Sequence, residues 1–156
     1  MAAPEVAVPD PPDWTALEAR VAREIPALDF LLGDWEGSGE AHGQPLVGRL
    51  HARRVLLGSA VQTREALYTA DGALDYEDLA LYRCDLDRGL FVQHLQPPGW
   101  SSEAAVEPID GGVAWNAGPT EPRVELTRAD DILTIAVWFP FQPVPASRMR
   151  YRKADP

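Results

Sequence analysis

From Gly33 onward, polar and apolar positions alternate with period two. Val61, Thr63, Glu65 and Leu67 interleave with Gln62, Arg64 and Ala66, and Leu90, Val92 and His94 interleave with Phe91, Gln93 and Leu95, the spacing of strands that turn one face inward. The spacing predicts strands over 34–42, 46–56, 59–69, 74–84, 89–96, 102–109, 112–117, 122–128, 131–139 and 147–153. Between them stand hairpin signals such as Asp71-Gly72, Asp87-Arg88-Gly89, Asp110-Gly111-Gly112 and Ala129-Asp130-Asp131. Almost no link has room for a crossover helix. About ten antiparallel strands in sequence must deal with their edges, and closing into an up-and-down, calycin-like barrel removes them. The expected fold is therefore all-β, with a flattened sandwich as the alternative.

The opening of the chain has a different period. Trp14, Leu17 and Val21 recur at i, i+3 and i+7, Thr15 and Glu18 have the spacing of a capping box, and Pro26 closes the run. One short amphipathic helix follows, whose apolar stripe needs an open end of the barrel to cover. Residues 1–12 hold four prolines and little to bury, which predicts a flexible arm ahead of one domain over 13–156. Phe30, Leu31 and Leu32 then form an apolar turn, with Gly33 placed to end it, and Trp35, Gly37 and Gly39 share one strand face. On that face one bulky anchor precedes two points of close approach.

The 156 residues carry 14 Lys and Arg against 24 Asp and Glu, a formal charge of −10. Nucleic acid and anionic membrane surfaces are excluded as natural partners by that balance. Cys84 is the only cysteine, so no intrachain disulfide forms, and a reducing compartment fits. The first residues lack a signal peptide's basic and apolar regions, and no run approaches a membrane span. The expected location is the cytoplasm. A homodimer stays open.

The run Leu31-Leu32-Gly33-Asp34-Trp35-Glu36-Gly37-Ser38-Gly39 after a short helix, with the basic closing segment Ser147-Arg148-Met149-Arg150-Tyr151-Arg152-Lys153, resembles the two ends of the nitrobindin-like, fatty-acid-binding-protein-like (calycin) barrels. The resemblance spans roughly residues 28–153. It implies a barrel with an internal pocket and an arginine of the last strand, Arg150 or Arg152, laid over Trp35. In the resembling family a histidine at the start of that strand binds haem, whereas this chain has Ala146-Ser147-Arg148 and no histidine after His94. Met149 and Tyr151 are the chemically competent ligands left there. No cofactor is therefore expected, haem being disfavoured.

The residues that carry chemistry are few. His42, His51 and His94 are too dispersed for a metal site, and neither Gly37-Ser38-Gly39 nor Gly58-Ser59-Ala60 sits in the context of a phosphate loop or a nucleophile elbow. Glu65 and His94 share faces with apolar neighbours and are the candidate acid and base; a rim or solvated position is the alternative for each. Tyr68, Tyr82, Trp100, Trp115, Trp138 and Arg148 are candidate ligand contacts, although aromatics at strand spacing more often fill a core. Trp100, after Pro97-Pro98-Gly99, and Phe139-Pro140-Phe141 are placed to cover a mouth. The leading expectation is a barrel that binds a small apolar or aromatic molecule. The rivals are a cofactor-free enzyme of cyclase, isomerase or hydratase type and an unusually ligated haem protein.

Overall fold

The computed structural model describes residues 10–11 and 13–156; apart from Asp10 and Pro11, the arm expected over 1–12 lies outside the described residues. Ten strands follow one another: β1 Gly33–Ala41, β2 Gln44–Val55, β3 Ala60–Tyr68, β4 Leu74–Asp85, β5 Gly89–Gln96, β6 Trp100–Ile109, β7 Gly112–Asn116, β8 Arg123–Ala129, β9 Ile132–Trp138 and β10 Ser147–Lys153. Each pairs antiparallel with the next, and β10 pairs with β1, so the sheet closes into a barrel. The alternation predicts this closure because one face of every strand is apolar. In β2 the inward Leu46, Gly48, Leu50 and Ala52 are buried and the positions between them are exposed.

One end of the barrel is plugged. The helix α1, Trp14–Glu24, is capped by the Asp13 side chain, which accepts from the Ala16 N–H at 3.0 Å; Asp13 rather than Thr15 is the cap because its carboxylate reaches the orphan amide two residues inside the first turn. Leu17 and Val21 pack on the core, but Trp14 points away and is 62% exposed. Pro26 does not stop the chain. The chain tightens into a 3₁₀ helix, Ile25–Leu31, in which side chains three apart eclipse. Ile25, Leu28 and Leu31 therefore form a single ridge, all fully buried, that seals this end.

Trp35 locks that plug to the sheet. Its indole donates to the Leu31 carbonyl at 2.7 Å, and Lys153 Nζ lies 4.1 Å from the ring centroid with the Arg128 guanidinium at 5.5 Å. The cation over Trp35 is thus Lys153 of the closing strand, joined by Arg128 of β8. Arg150 and Arg152 have the wrong parity and stand exposed on the outer face. Burial holds the Lys153 ammonium below its ordinary value, as does the nearby Arg128, while it donates to the Leu32 carbonyl.

The glycines of β1 and β2 admit protein. A Cβ on Gly37 would run into the Arg150 backbone, and one on Gly48 would strike the Tyr151 ring and the Met149 methyl. Backbone and side chains of β10 occupy the gaps, and Tyr151 thereby crosses the barrel interior toward β3. No helix among the described residues is long and apolar enough to cross a membrane.

Candidate functional site

The loops at the end opposite the plug leave the barrel open, and behind them lies a cavity of about 400 Å³. One wall is apolar, built from inward residues such as Leu46, Leu67, Val124, Ile135 and Val137. Aromatic residues frame the mouth. Trp100 opens β6 with 63% of its surface exposed, and Phe139 packs against His42 with ring centroids 6.1 Å apart.

The other wall is polar, and strand register explains its layout. Glu65 of β3 and Asp78 of β4 are directly opposed cross-strand partners, and His94 of β5 is opposed to Ser102 of β6. All four line the cavity. His94 Nε2 lies 2.8 Å from Asp78 Oδ2, the same oxygen that accepts from the Tyr76 hydroxyl at 3.2 Å; Tyr76 also reaches Gln96 Oε1 at 3.0 Å. The His94 ring leans on Trp115 with centroids 5.1 Å apart. Glu65 Oε1 accepts from the Tyr151 hydroxyl. Among the described residues no group donates to Glu65 Oε2.

Two carboxyl groups on directly opposed strand positions, one of them buried, do not both ionise easily. Burial, and then the charge of Asp78, push Glu65 up to about 8, against the opposing pull of its hydrogen bond from Tyr151. The phenols of Tyr151 and Tyr76 are also held above their ordinary value, first by burial and then by these carboxylates. The upward push favours the protonated form of Glu65, whose Oε1 accepts from Tyr151, beside the hydrogen-bonded Asp78 and His94.

The candidate residues separate clearly by place. Glu65 and His94 both face the cavity, but each has a different partner, Tyr151 for the first and Asp78 for the second. Trp100 and Trp115 line the same cavity. Tyr82 lies deeper, 2% exposed in the core, with the Trp115 indole directed toward its hydroxyl without closing a hydrogen bond. Tyr68, Trp138 and Arg148 are not brought to the cavity, because their positions alternate with the inward Leu67, Val137 and Ser147. Tyr68 instead lies under the Arg49 guanidinium on the outer surface, 6.0 Å from ring centroid to Arg49 Cζ.

Members of the site escaped the sequence reading in these roles, Asp78 and Tyr151 among them. Asp78 shares parity with Tyr76, Ala80 and Tyr82, a mostly apolar face that marked it as inward. Tyr151 alternates with the exposed Arg150 and Arg152, a spacing that fits an inward position, but its place against Glu65 depends on Gly48 making room. Pairing across β2 was not visible in spacing alone. Among the described residues no group of three or more His, Cys, Asp or Glu is placed to hold a metal ion.

No family model matches the chain, and no curated protein matches it. Among solved structures it is similar to the crystal structure of Rv2717c from M. tuberculosis, with a TM-score of 0.56 and 15% identity over 83% of this chain and 98% of that one. At that identity the likeness is one of fold: a closed antiparallel barrel shared over nearly the whole of the second protein.

Proposed function

We propose that this chain is a small-molecule-binding barrel, with an apolar or aromatic body held in the cavity and a polar group set against Glu65, Asp78 and His94. The observation that carries the reading is the asymmetry of the cavity: an apolar wall faces a hydrogen-bonding wall beneath an aromatic mouth. Pockets that hold small organic ligands combine these features, the first for affinity and the second for orientation. The two chain ends that resemble nitrobindin-like barrels support an ancestry in which such a cavity holds a ligand. The lone thiol, Cys84, buried and pushed up to about 12 chiefly by burial, suits a reducing cytoplasmic setting.

The lining does not fit the resembling family's haem. At the start of β10 the residue that faces the cavity is Ser147, and Met149 and Tyr151 beyond it are packed against Gly48 in the core. Of the histidines near the cavity, His94 is engaged by Asp78 and His42 packs on Phe139. The described lining has no Arg or Lys to meet two propionates.

A second reading rests on the Asp78 and His94 pair. An aspartate that orients a histidine beside an apolar-walled cavity is the arrangement of a general base, and it supports a cofactor-free isomerase, cyclase or hydratase. Asp78, rather than Glu65, would then be the partner of His94.

Filling the cavity tests the binding reading. The neutral fluorophore N-phenyl-1-naphthylamine is expected to bind one per chain, and Ser102→Trp, which projects an indole into the cavity, to abolish the signal. Tyr68→Ala on the outer face should leave it unchanged. Equal binding to Ser102→Trp would place the dye elsewhere and remove the support for this cavity.

A further inference from the structure

The charge of the cavity wall narrows the ligand further, granted that the cavity is a binding site. Its lining holds four carboxyl groups, Glu65, Asp75, Asp78 and Glu121, and two imidazoles, His42 and His94, with no Arg or Lys among the described residues. The chain has 14 Lys and Arg in all. Those named near the barrel ends and rims are used elsewhere: Lys153 and Arg128 on Trp35, Arg20 on Glu24, Arg123 on Glu107 and Glu125. A carboxylate or phosphate ligand entering this cavity would meet like charge and find no fixed cation.

An acidic wall alone would not make a site, but three further features converge on it. Glu65 is only 8% exposed, lines the cavity and has an oxygen, Oε2, with no partner among the described residues. Its directly opposed neighbour is Asp78, and like charges in that position destabilise a sheet unless a proton or a cation intervenes. Around the same cavity stand Trp100, Trp115 and Phe139, aromatic residues of the kind that attract an organic cation.

We propose that the ligand is an organic monocation, a protonated amine on an apolar or aromatic body, with its ammonium received between Glu65 and Asp78 and its body against the aromatic mouth. The ammonium supplies the donors that Glu65 Oε2 lacks, and it stands where a proton otherwise separates the two carboxyl groups. The groups that face Glu65 are Tyr151 from β10, Asp78, Tyr76 and Tyr82 from β4 and His94 from β5, with Asp75, Glu121 and His42 nearer the mouth. None is a permanent cation. A bound ammonium therefore opposes the upward push on Glu65 directly, and its arrival at neutral pH expels the Glu65 proton to solvent.

A matched series separates this from the broader reading: 2-(1-naphthyl)ethylamine, 2-(1-naphthyl)ethanol and 1-naphthylacetate, titrated calorimetrically at pH 7 in phosphate and in MOPS. The amine should bind at least about 10-fold tighter than the alcohol, the worth of one charge-assisted hydrogen bond, with the acid weakest. The difference between buffers should report proton release with the amine and none with the alcohol. Glu65→Gln should remove the proton release and most of the amine's advantage, and leave the alcohol's affinity in place. Asp78→Asn, measured in the same way, should also erase the amine's advantage if Glu65→Gln does not fold.

If the alcohol binds and the amine binds no tighter, or the acid binds best, the cationic class is wrong and the cavity reading survives. Equal loss of amine and alcohol in Glu65→Gln also overturns the cationic class, since the residue would then only shape the wall. Failure of all three probes to bind the wild-type chain overturns both readings.

Discussion

Glu65 shows how one side chain ties the barrel's stability to its cavity. Its carboxyl has an unfolded value near 4.5 and is pushed up to about 8 in the fold, first by burial and then by Asp78. The folded chain therefore keeps a proton that the unfolded chain gives up. The contribution of Glu65 to stability is full below about pH 4.5 and is lost as pH rises through about 8, with a slope near 1.4 kcal/mol per pH unit between them. In Glu65→Gln the amide oxygen still accepts from Tyr151, and nothing titrates. The difference in unfolding free energy between variant and parent should move in the variant's favour from pH 5 to pH 8, measured by urea denaturation at each pH. A constant difference would show that Glu65 is ionised throughout and that the wall is wetter than its burial implies.

Elements were legible where a period was clean. All ten strands lie within about three residues of where alternation puts them, because every strand has one face in the core and a one-residue slip would invert it. The plug was legible only in part. Pro26 read as a stop, yet proline needs no N–H in the first turn of a helix, and the i, i+3 ridge of Ile25, Leu28 and Leu31 continues past it. Contacts between elements far apart in sequence were harder still. That Lys153 rather than Arg150 or Arg152 covers Trp35 follows from the parity of β10, and the Tyr151 bond to Glu65 depends on Gly48 leaving room across β2. Trp35 joins plug, first strand and last strand, so Trp35→Ala should cost about 3–5 kcal/mol, the range for emptying a large aromatic site. Leu28→Ala in the ridge should cost about 2–5 kcal/mol. Denaturant melts check both; a Trp35→Ala chain that unfolds like its parent would show that the plug is held by other contacts.

At the scale of the molecule, the closed sheet, the sealed lower end and the open mouth frame an asymmetric cavity, and its wall sets what the barrel can hold. The inward Ser147, the engaged histidines and the absence of Arg or Lys from the described lining predict that purified chain mixed with haemin shows no intense Soret band at one haem per chain. Such a band, lost on changing one residue, would restore the haem chemistry of the resembling family. The most direct test of the binding function is native mass spectrometry of the chain purified from its own host. One small organic adduct per chain is expected, released on denaturation and missing from Ser102→Trp purified in the same way. A bare wild-type chain, or an adduct equally present on Ser102→Trp, would contradict a ligand held in this cavity.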